Sequence, residues 1–316
     1  GDIDGDGDPD LAVASLGGGC RLYRNDRERF VDISSEASLR SNASSYVPFF
    51  FDYDADGDLD LFVSGFSSFV AFASSVQPGS RVSDIERPYL YRNLGKGRFQ
   101  DVTRSAGLDR AFGSMGANWG DLDNDGFPEI YLANGGPFLE RLEPNSLFHN
   151  RGDGTFQEET SRVGGGHVGK GHGATFADFD DDGDLDIYAP IGGAYPGDQW
   201  KNAFYRNDGG DAAGHSIIVA CRGERTNRFG VGVWLRATVG SRTMLRQIEG
   251  GAAFGSSNPA QAHFGLGSAD RIDRLEVWWP ASDTRQVFEA VPADRYIVVR
   301  EGDARLEARP FSMRDR

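Results

Sequence analysis

The sequence predicts an all-β chain, with an arc of β-propeller blades leading into a small β-sandwich-like domain. Three observations predict it. An aspartate-rich nonapeptide recurs four times, each copy runs into a short apolar strand, and the last third alternates apolar and polar residues at period two. Composition agrees: 39% hydrophobic and 12% aromatic residues suit a packed core, and 43 glycines supply the tight turns that many short strands need.

The nonapeptides begin at Asp2, Asp52, Asp121 and Asp178 and share the pattern D-x-D-x-D-G-x-x-D/E. After them come the apolar runs 11–14, 61–63, 130–133 and 187–189. A second element then repeats, as Leu22-Tyr23-Arg24-Asn25, Leu90-Tyr91-Arg92-Asn93, Leu147-Phe148-His149-Asn150 and Phe204-Tyr205-Arg206-Asn207. In the middle two repeats glycine turns at Gly95–Gly97 and Gly152–Gly154 lead into Phe99 and Phe156. One unit therefore reads strand, acidic turn, strand, connection, strand, glycine hairpin, strand. Four antiparallel strands recurring every ~50–60 residues is the pattern of a propeller blade, which buries its faces only by stacking on neighbours. A sandwich or solenoid of the same hairpins is the competing arrangement.

The acidic turns are expected to bind calcium, up to four ions. Calcium takes about six to eight oxygens. Acids at positions 1, 3 and 5 converge when a glycine at position 6 (Gly7, Gly57, Gly126, Gly183) turns the backbone sharply. The acid at position 9 is expected to close the cage. The predicted ligands are Asp2, Asp4, Asp6 and Asp10; Asp52, Asp54, Asp56 and Asp60; Asp121, Asp123, Asp125 and Glu129; and Asp178, Asp180, Asp182 and Asp186. These are not EF-hands: position 12 holds Val13, Val63, Leu132 and Ala189 instead of a bidentate glutamate, and the flanks are strands.

Residues 215–302 alternate at period two in Ile217–Val219, Val231–Val239, Leu275–Trp279 and Ile297–Val299, which predicts a sandwich of about seven strands. The Gly- and Asp-rich stretch 208–214 reads as a linker. The boundaries are then 1–208 for the repeats, 209–305 for the second domain and 306–316 for a tail.

The acidic repeats resemble the FG-GAP/VCBS repeats of integrin-like β-propellers. The ordered set Arg206-Asn207-Asp208-Gly209, Thr226-Asn227-Arg228-Phe229-Gly230, Gly250–Ser257, His263-Phe264-Gly265-Leu266-Gly267 and Val277-Trp278-Trp279-Pro280 resembles an ASPIC/UnbV domain. Together they resemble the cartilage acidic protein family and its bacterial relatives. The resemblance implies that the D-x-D-x-D-G turns are calcium sites. It also implies six or seven blades in relatives, so four repeats are expected to form an open arc or part of a larger ring.

Enzyme signatures fail on inspection. The segment 164–171 has P-loop spacing, but Gly171 replaces the Ser or Thr and a strand follows. No G-x-S-x-G elbow exists. His149 stands where three sister repeats carry Arg and reads as scaffold, while His167 and His172 read as turn residues. The formal net charge of −15 argues against a nucleic-acid partner, and twenty of the 48 acidic residues lie in the four turns. No apolar run reaches the ~18 residues of a membrane span. Cys20 and Cys221 leave open a disulfide or two thiols. The leading expectation is a non-enzymatic, extracellular or cell-surface calcium-binding protein that engages a protein or glycan. Its contacts would come from the connections 65–88, 134–146 and 191–203; Phe66, Phe69 and Phe72 in the first of these read either as packed under the loop or as a contact patch. The alternative is a calcium-dependent lyase or hydrolase acting on polysaccharides.

Overall fold

The computed structural model describes residues 1–27, 29–40, 44–68, 73–74, 87–136, 141–193, 196–197, 200–209, 214–251 and 254–312. Phe69 and Phe72 lie outside them.

Four antiparallel sheets follow the four repeats. The first holds β1 (Leu11–Ser15), β2 (Gly19–Asn25) and β3 (Phe30–Asp32). The second holds β4 (Pro48–Phe51), β5 (Asp60–Val63), β6 (Tyr89–Asn93) and β7 (Phe99–Asp101). The third holds β8 (Ser114–Gly120), β9 (Glu129–Asn134), β10 (Ser146–Asn150) and β11 (Phe156–Glu158). The fourth holds β12 (Thr175–Ala177), β13 (Asp186–Ala189) and β14 (Ala203–Tyr205). Each acidic turn joins the first strand of its blade to the second, or precedes β1 in blade one, as the repeat predicts.

The blades stack through three apolar clusters. Ile3 and Leu22 of the first repeat meet Leu61, Val63, Tyr91 and Phe99 of the second. Tyr53, Phe62 and Leu90 of the second meet Ile130, Leu132, Phe148 and Phe156 of the third. Tyr131 and Leu147 of the third meet Ile187 and Ala189 of the fourth. Strand alternation sends successive side chains to opposite faces, so each blade feeds one cluster before it and one after it. Blades three and four close tightly at Gly116, where a Cβ would stand 2.5 Å from the His172 carbonyl oxygen. Phe66 is half-buried, packed edge-on against Tyr46 beneath the Arg141 guanidinium.

The remaining strands form two packed sheets, as a sandwich requires. One has the order β18-β15-β21-β22 and the other β17-β16-β19-β20, over β15 (His215–Arg222), β16 (Trp234–Val239), β17 (Arg242–Gln247), β18 (Ala262–Gly267), β19 (Arg271–Trp279), β20 (Thr284–Pro292), β21 (Arg295–Arg300) and β22 (Leu306–Pro310). One expectation changes here. Residues 306–310 are not a free tail: they pair along β21 from Leu306–Val299 to Pro310–Arg295, and Phe311 is buried beyond them. Residues 210–213 of the expected linker lie outside the described residues, and the second domain packs directly on the blades. Trp234 and Leu245 are buried in the same cluster as Ile3 and Leu61, and Ala55 joins the sandwich core. The reason is that β17 and the β18 end lie directly on the acidic turns and share their hydrogen bonds. Cys20 and Cys221 sit in different clusters as buried free thiols, both pushed up to about 12 chiefly by burial. No helix among the described residues is long and apolar enough to cross a membrane.

Candidate metal centres

All four turns fold alike because two residues in each take the left-handed backbone. Position 6 is always glycine, at φ 95° (Gly7), 91° (Gly57), 98° (Gly126) and 92° (Gly183). Position 4 is also left-handed, at Gly5 (77°), Ala55 (54°), Asn124 (59°) and Asp181 (61°). Three of these four are the types that adopt it most readily. The sequence reading recognised only the glycine at position 6.

That backbone gathers amides around the first acid. Asp2 accepts from the amides of Gly5 (2.8 Å) and Gly7 (2.8 Å), Asp121 from Gly126 (2.9 Å), and Asp178 from Asp182 (3.1 Å) and Gly183 (2.9 Å). The acid at position 5 accepts from the amide at position 7 in every turn, at 2.9 Å for Asp6, 3.0 Å for Asp56, 2.8 Å for Asp125 and 2.9 Å for Asp182. Carboxylate oxygens then converge within 4.8 Å of one another in Asp2–Asp4–Asp6, Asp52–Asp54–Asp60, Asp121–Asp123–Asp125 and Asp178–Asp180–Asp182.

Position 9 has a second job in all four turns. Its two oxygens brace the turn to the third strand. Asp10 accepts from the amides of Ile3 and Asn25 (both 2.8 Å), and Asp60 from Tyr53 (3.2 Å) and Asn93 (2.7 Å). Glu129 accepts from Leu122 (2.7 Å) and Asn150 (3.2 Å), and Asp186 from Phe179 (3.0 Å) and Asn207 (2.7 Å). Asp60 still joins the ligand group of its turn, whereas Asp10 and Asp186 lie outside the groups of theirs. Asp56 stands apart from its group, with Arg92 reaching it at 3.4 Å and Asp54 at 2.9 Å.

In the third repeat Glu129 meets His149 Nδ1 at 3.1 Å, with Asp123 at 3.6 Å, as a further acidic group. The repeat pattern treats His149 as scaffold; the additional methylene of Glu129 relative to Asp is the signal that the two belong together. The hydrogen bond His149 donates to Glu129, set against burial, raises His149 to about 9.

Burial pushes the clustered acids up. Asp10, Asp54 and Asp178 rise to about 6, Asp52 and Asp125 to about 7, and Glu129 to about 8, in each case chiefly by desolvation. Asp54 Oδ1, Asp121 Oδ1 and Asp180 Oδ1 are buried with no hydrogen-bond partner. Unpaired buried carboxylate oxygens suit a hard cation. The residues fit calcium: positions 1, 3 and 5 in turns one, three and four, and positions 1, 3 and 9 in turn two, would hold it. When bound, the ion would add positive charge within these acidic clusters.

The second domain covers all four turns. Trp278 lies on Gly7, where a Cβ would be 2.5 Å from its ring. The Leu245 amide donates to Asp52 Oδ2 at 2.7 Å, and the Gly265 amide to Asp121 Oδ2 at 3.1 Å. Ser216 Oγ donates to the Gly183 carbonyl at 2.6 Å, and the Ser312 amide to the Asp181 carbonyl at 2.8 Å. Between turns two and three the domain inserts Arg246, buried beneath Trp119 and over Phe264, with its charge beside both Asp52 and Asp121. None of these partners was legible as a site residue, because each lies far away in sequence and carries no repeat signature.

Comparison with known proteins agrees with this architecture. Residues 2–63, 76–132 and 135–189 match the FG-GAP-like repeat, and residues 223–306 match the ASPIC and UnbV domain. Over 204 residues the chain is 26% identical to cartilage acidic protein 1 of Homo sapiens, covering 59% of this chain and 28% of that protein. Over 200 residues it is 28% identical to cartilage acidic protein 1 of Xenopus tropicalis, covering 59% and 29%. The chain thus spans less than a third of either relative. The Photorhabdus luminescens Tc holotoxin pore aligns over 58% of this chain and 8% of its own at a TM-score of 0.31 and 17% identity, too slight a likeness to bear on the argument. With the repeat model matching more than half its length, the chain belongs to the FG-GAP-like repeat family and carries an ASPIC and UnbV domain behind its repeats.

Proposed function

We propose that this chain is an extracellular calcium-binding scaffold that engages a protein or glycan partner and catalyses no reaction itself. The observation that carries the calcium reading is the set of buried, unpartnered carboxylate oxygens at Asp54, Asp121 and Asp180. Calcium would hold each turn in shape and, through the shared hydrogen bonds, hold the second domain on the arc. The extracellular setting is supported by the curated relatives, whose name places them in cartilage, and by the abundance of calcium outside cells. The partner-binding role rests on the connections between second and third strands, which vary in length while the turns and strands repeat.

The test is thermal unfolding of the chain in EGTA, in calcium and in magnesium. Calcium at a hundredfold over its dissociation constant stabilises by about 2.7 kcal/mol per site that only the folded chain offers. A calcium-specific rise in Tm supports the reading. An identical Tm in all three media removes it. Screening against extracellular-matrix proteins and glycans, with and without calcium, then addresses the partner. Turnover of any glycan in that screen would overturn the non-catalytic assignment.

A further inference from the structure

Repeat three departs from its sisters at two positions, and the two departures touch. Position 9 of its turn is Glu129, where the other turns carry Asp10, Asp60 and Asp186. The residue before its strand asparagine is His149, where the others carry Arg24, Arg92 and Arg206. Each of those arginines pairs with aspartate: Arg24 with Asp26 (2.8 Å), Arg206 with Asp208 (2.7 Å), and Arg92 with Asp54 (2.9 Å) and Asp56 (3.4 Å). A guanidinium has no lone pair to offer a metal, whereas an imidazole nitrogen has one.

His149 Nδ1 lies 3.1 Å from Glu129 and 3.6 Å from Asp123, and one ligand atom from each of the three falls within 4.8 Å of the others. No other turn among the described residues brings a histidine into its acidic group. The constellation stands on rigid backbone. Glu129 opens β9, and His149 lies on β10 one step beyond the paired Ile130 and Phe148. Glu129 is buried, and the amides of Leu122 (2.7 Å) and Asn150 (3.2 Å) fix its carboxylate, as outer hydrogen bonds fix a metal ligand.

Two further observations point to an ion here. Asp123 also belongs to the Asp121–Asp123–Asp125 group, in which Asp121 Oδ1 is buried without a hydrogen-bond partner. Asp123, Glu129 and His149 also line one cavity of about 280 Å³ between blades three and four, together with Tyr131, Glu159 and Tyr205. A cavity of that size leaves room for water in the ion's remaining positions.

We propose that Asp123, Glu129 and His149 bind a divalent transition-metal ion of the zinc class, beside the calcium assigned to Asp121, Asp123 and Asp125. Calcium takes oxygen ligands, whereas an imidazole joined by carboxylates suits zinc. The ion takes the place of the proton that links His149 Nδ1 to Glu129, and that proton leaves to solvent. This site shares Asp123 with the calcium reading but draws its other two ligands from outside it, so either reading can fail alone.

Calorimetric zinc titration of the whole, untagged chain in millimolar calcium tests this, with cobalt as an optical probe of the same site. The wild type is expected to take up one zinc, and cobalt to give the visible absorption of a site with a nitrogen ligand. His149→Arg installs the residue the sister repeats carry, which their blades accommodate. It is expected to weaken zinc binding by at least about a hundredfold, since even an outer-shell partner is worth up to that much, and to leave calcium stoichiometry unchanged. Glu129→Asp likewise restores the sister residue and draws the carboxylate back by one methylene; the expected loss is about tenfold or more. Circular dichroism checks that both variants fold. A wild type that takes up no zinc overturns the inference, as does His149→Arg binding zinc like the wild type. Zinc that calcium displaces one for one also overturns it, because the ion would then sit in the ordinary turn site. Zinc uptake by a chain indifferent to calcium would remove the calcium reading and support this one.

Discussion

Asn150 donates its side-chain amide to the carbonyl oxygen of Tyr53, 2.8 Å away across a blade boundary and 97 residues earlier in the chain. The same amide group donates to the Pro128 carbonyl oxygen at 3.3 Å, and the Asn150 side-chain Oδ1 accepts from the Gly152 amide at 3.1 Å. One buried side chain thus ties its own acidic turn, its own hairpin and the turn of the preceding blade.

Asn150→Ala removes these bonds and leaves the Tyr53 carbonyl buried without its partner. The expected loss is about 2–3 kcal/mol, since an orphaned buried polar group costs more than the net worth of a hydrogen bond. Asn25→Ala is the control. Its amide makes one exposed bond within its own turn, so the expected loss is under about 1 kcal/mol. Urea unfolding of both variants makes the comparison, and equal losses would show that the inter-blade clasp contributes nothing.

Arg246→Met takes the one buried cation from between Asp52 and Asp121. Burial pushes Asp52 up to about 7 against the pull of Arg246, so its removal strands a carboxylate pair. Because Arg246 acts on these acids through space, its hydrogen bonds going to the His263 and Leu245 carbonyl oxygens, the expected cost stays below the about 3–5 kcal/mol of breaking a direct buried ion pair. Saturating calcium is expected to shrink that cost, because the turns then keep a cation. The urea midpoints of wild type and variant in EGTA and in calcium give four values; a penalty unchanged by calcium would show that the ion does not reach these acids.

Glu301 is expected to contribute to an acid-side loss of stability in the second domain. Burial alone would raise its carboxyl. The Ser282 hydroxyl and the amides of Arg225, Glu224 and Thr226 outweigh that and hold it at about 2. Those amides lie at 2.8, 2.9 and 3.1 Å. A folded value below the unfolded one means the contribution is fully present above the ordinary carboxylate range, near pH 4.5, and is lost as pH falls toward 2. Glu301→Gln is expected to cost about 1.5–3 kcal/mol at neutral pH, the worth of hydrogen bonds to a charged group. It should also flatten this part of the pH profile between 4.5 and 2 in acid-unfolding curves. A variant whose acid limb follows the wild type would assign the transition to other groups.

Asp54→Asn and Asp180→Asn each remove charge at a buried, unpartnered carboxylate oxygen. Each is expected to lower calcium stoichiometry by one in calorimetric titration while leaving the metal-free fold intact. Burial holds Asp54 at about 6 in the metal-free chain, so its neutral replacement is expected to change metal-free stability by less than ~1 kcal/mol. Unchanged stoichiometry in both variants would exclude these turns as the binding sites.

The sequence by itself determined the repeat, the blade strands, the acidic turns and the alternating last third. Each is a local property: left-handed glycines, acids at fixed spacing and period-two alternation act within nine or ten residues. It also marked Asp2, Asp52, Asp121 and Asp178 as inward-facing acids, because the same turn geometry recurs four times. Only the tertiary structure decided what lies against those turns. The Leu245 and Gly265 amides, Trp278 and Arg246 come from more than a hundred residues away and carry no periodic mark. Position 9 shows the same division. Spacing makes the position-9 acids candidate ligands, and the fold also gives each an asparagine backbone amide from the third strand, at 2.8 Å for Asp10 and 2.7 Å for Asp186. A carboxylate at that position faces the acidic cluster on one side and the strand on the other. Which partner it meets is fixed by how the blade folds back on its own turn.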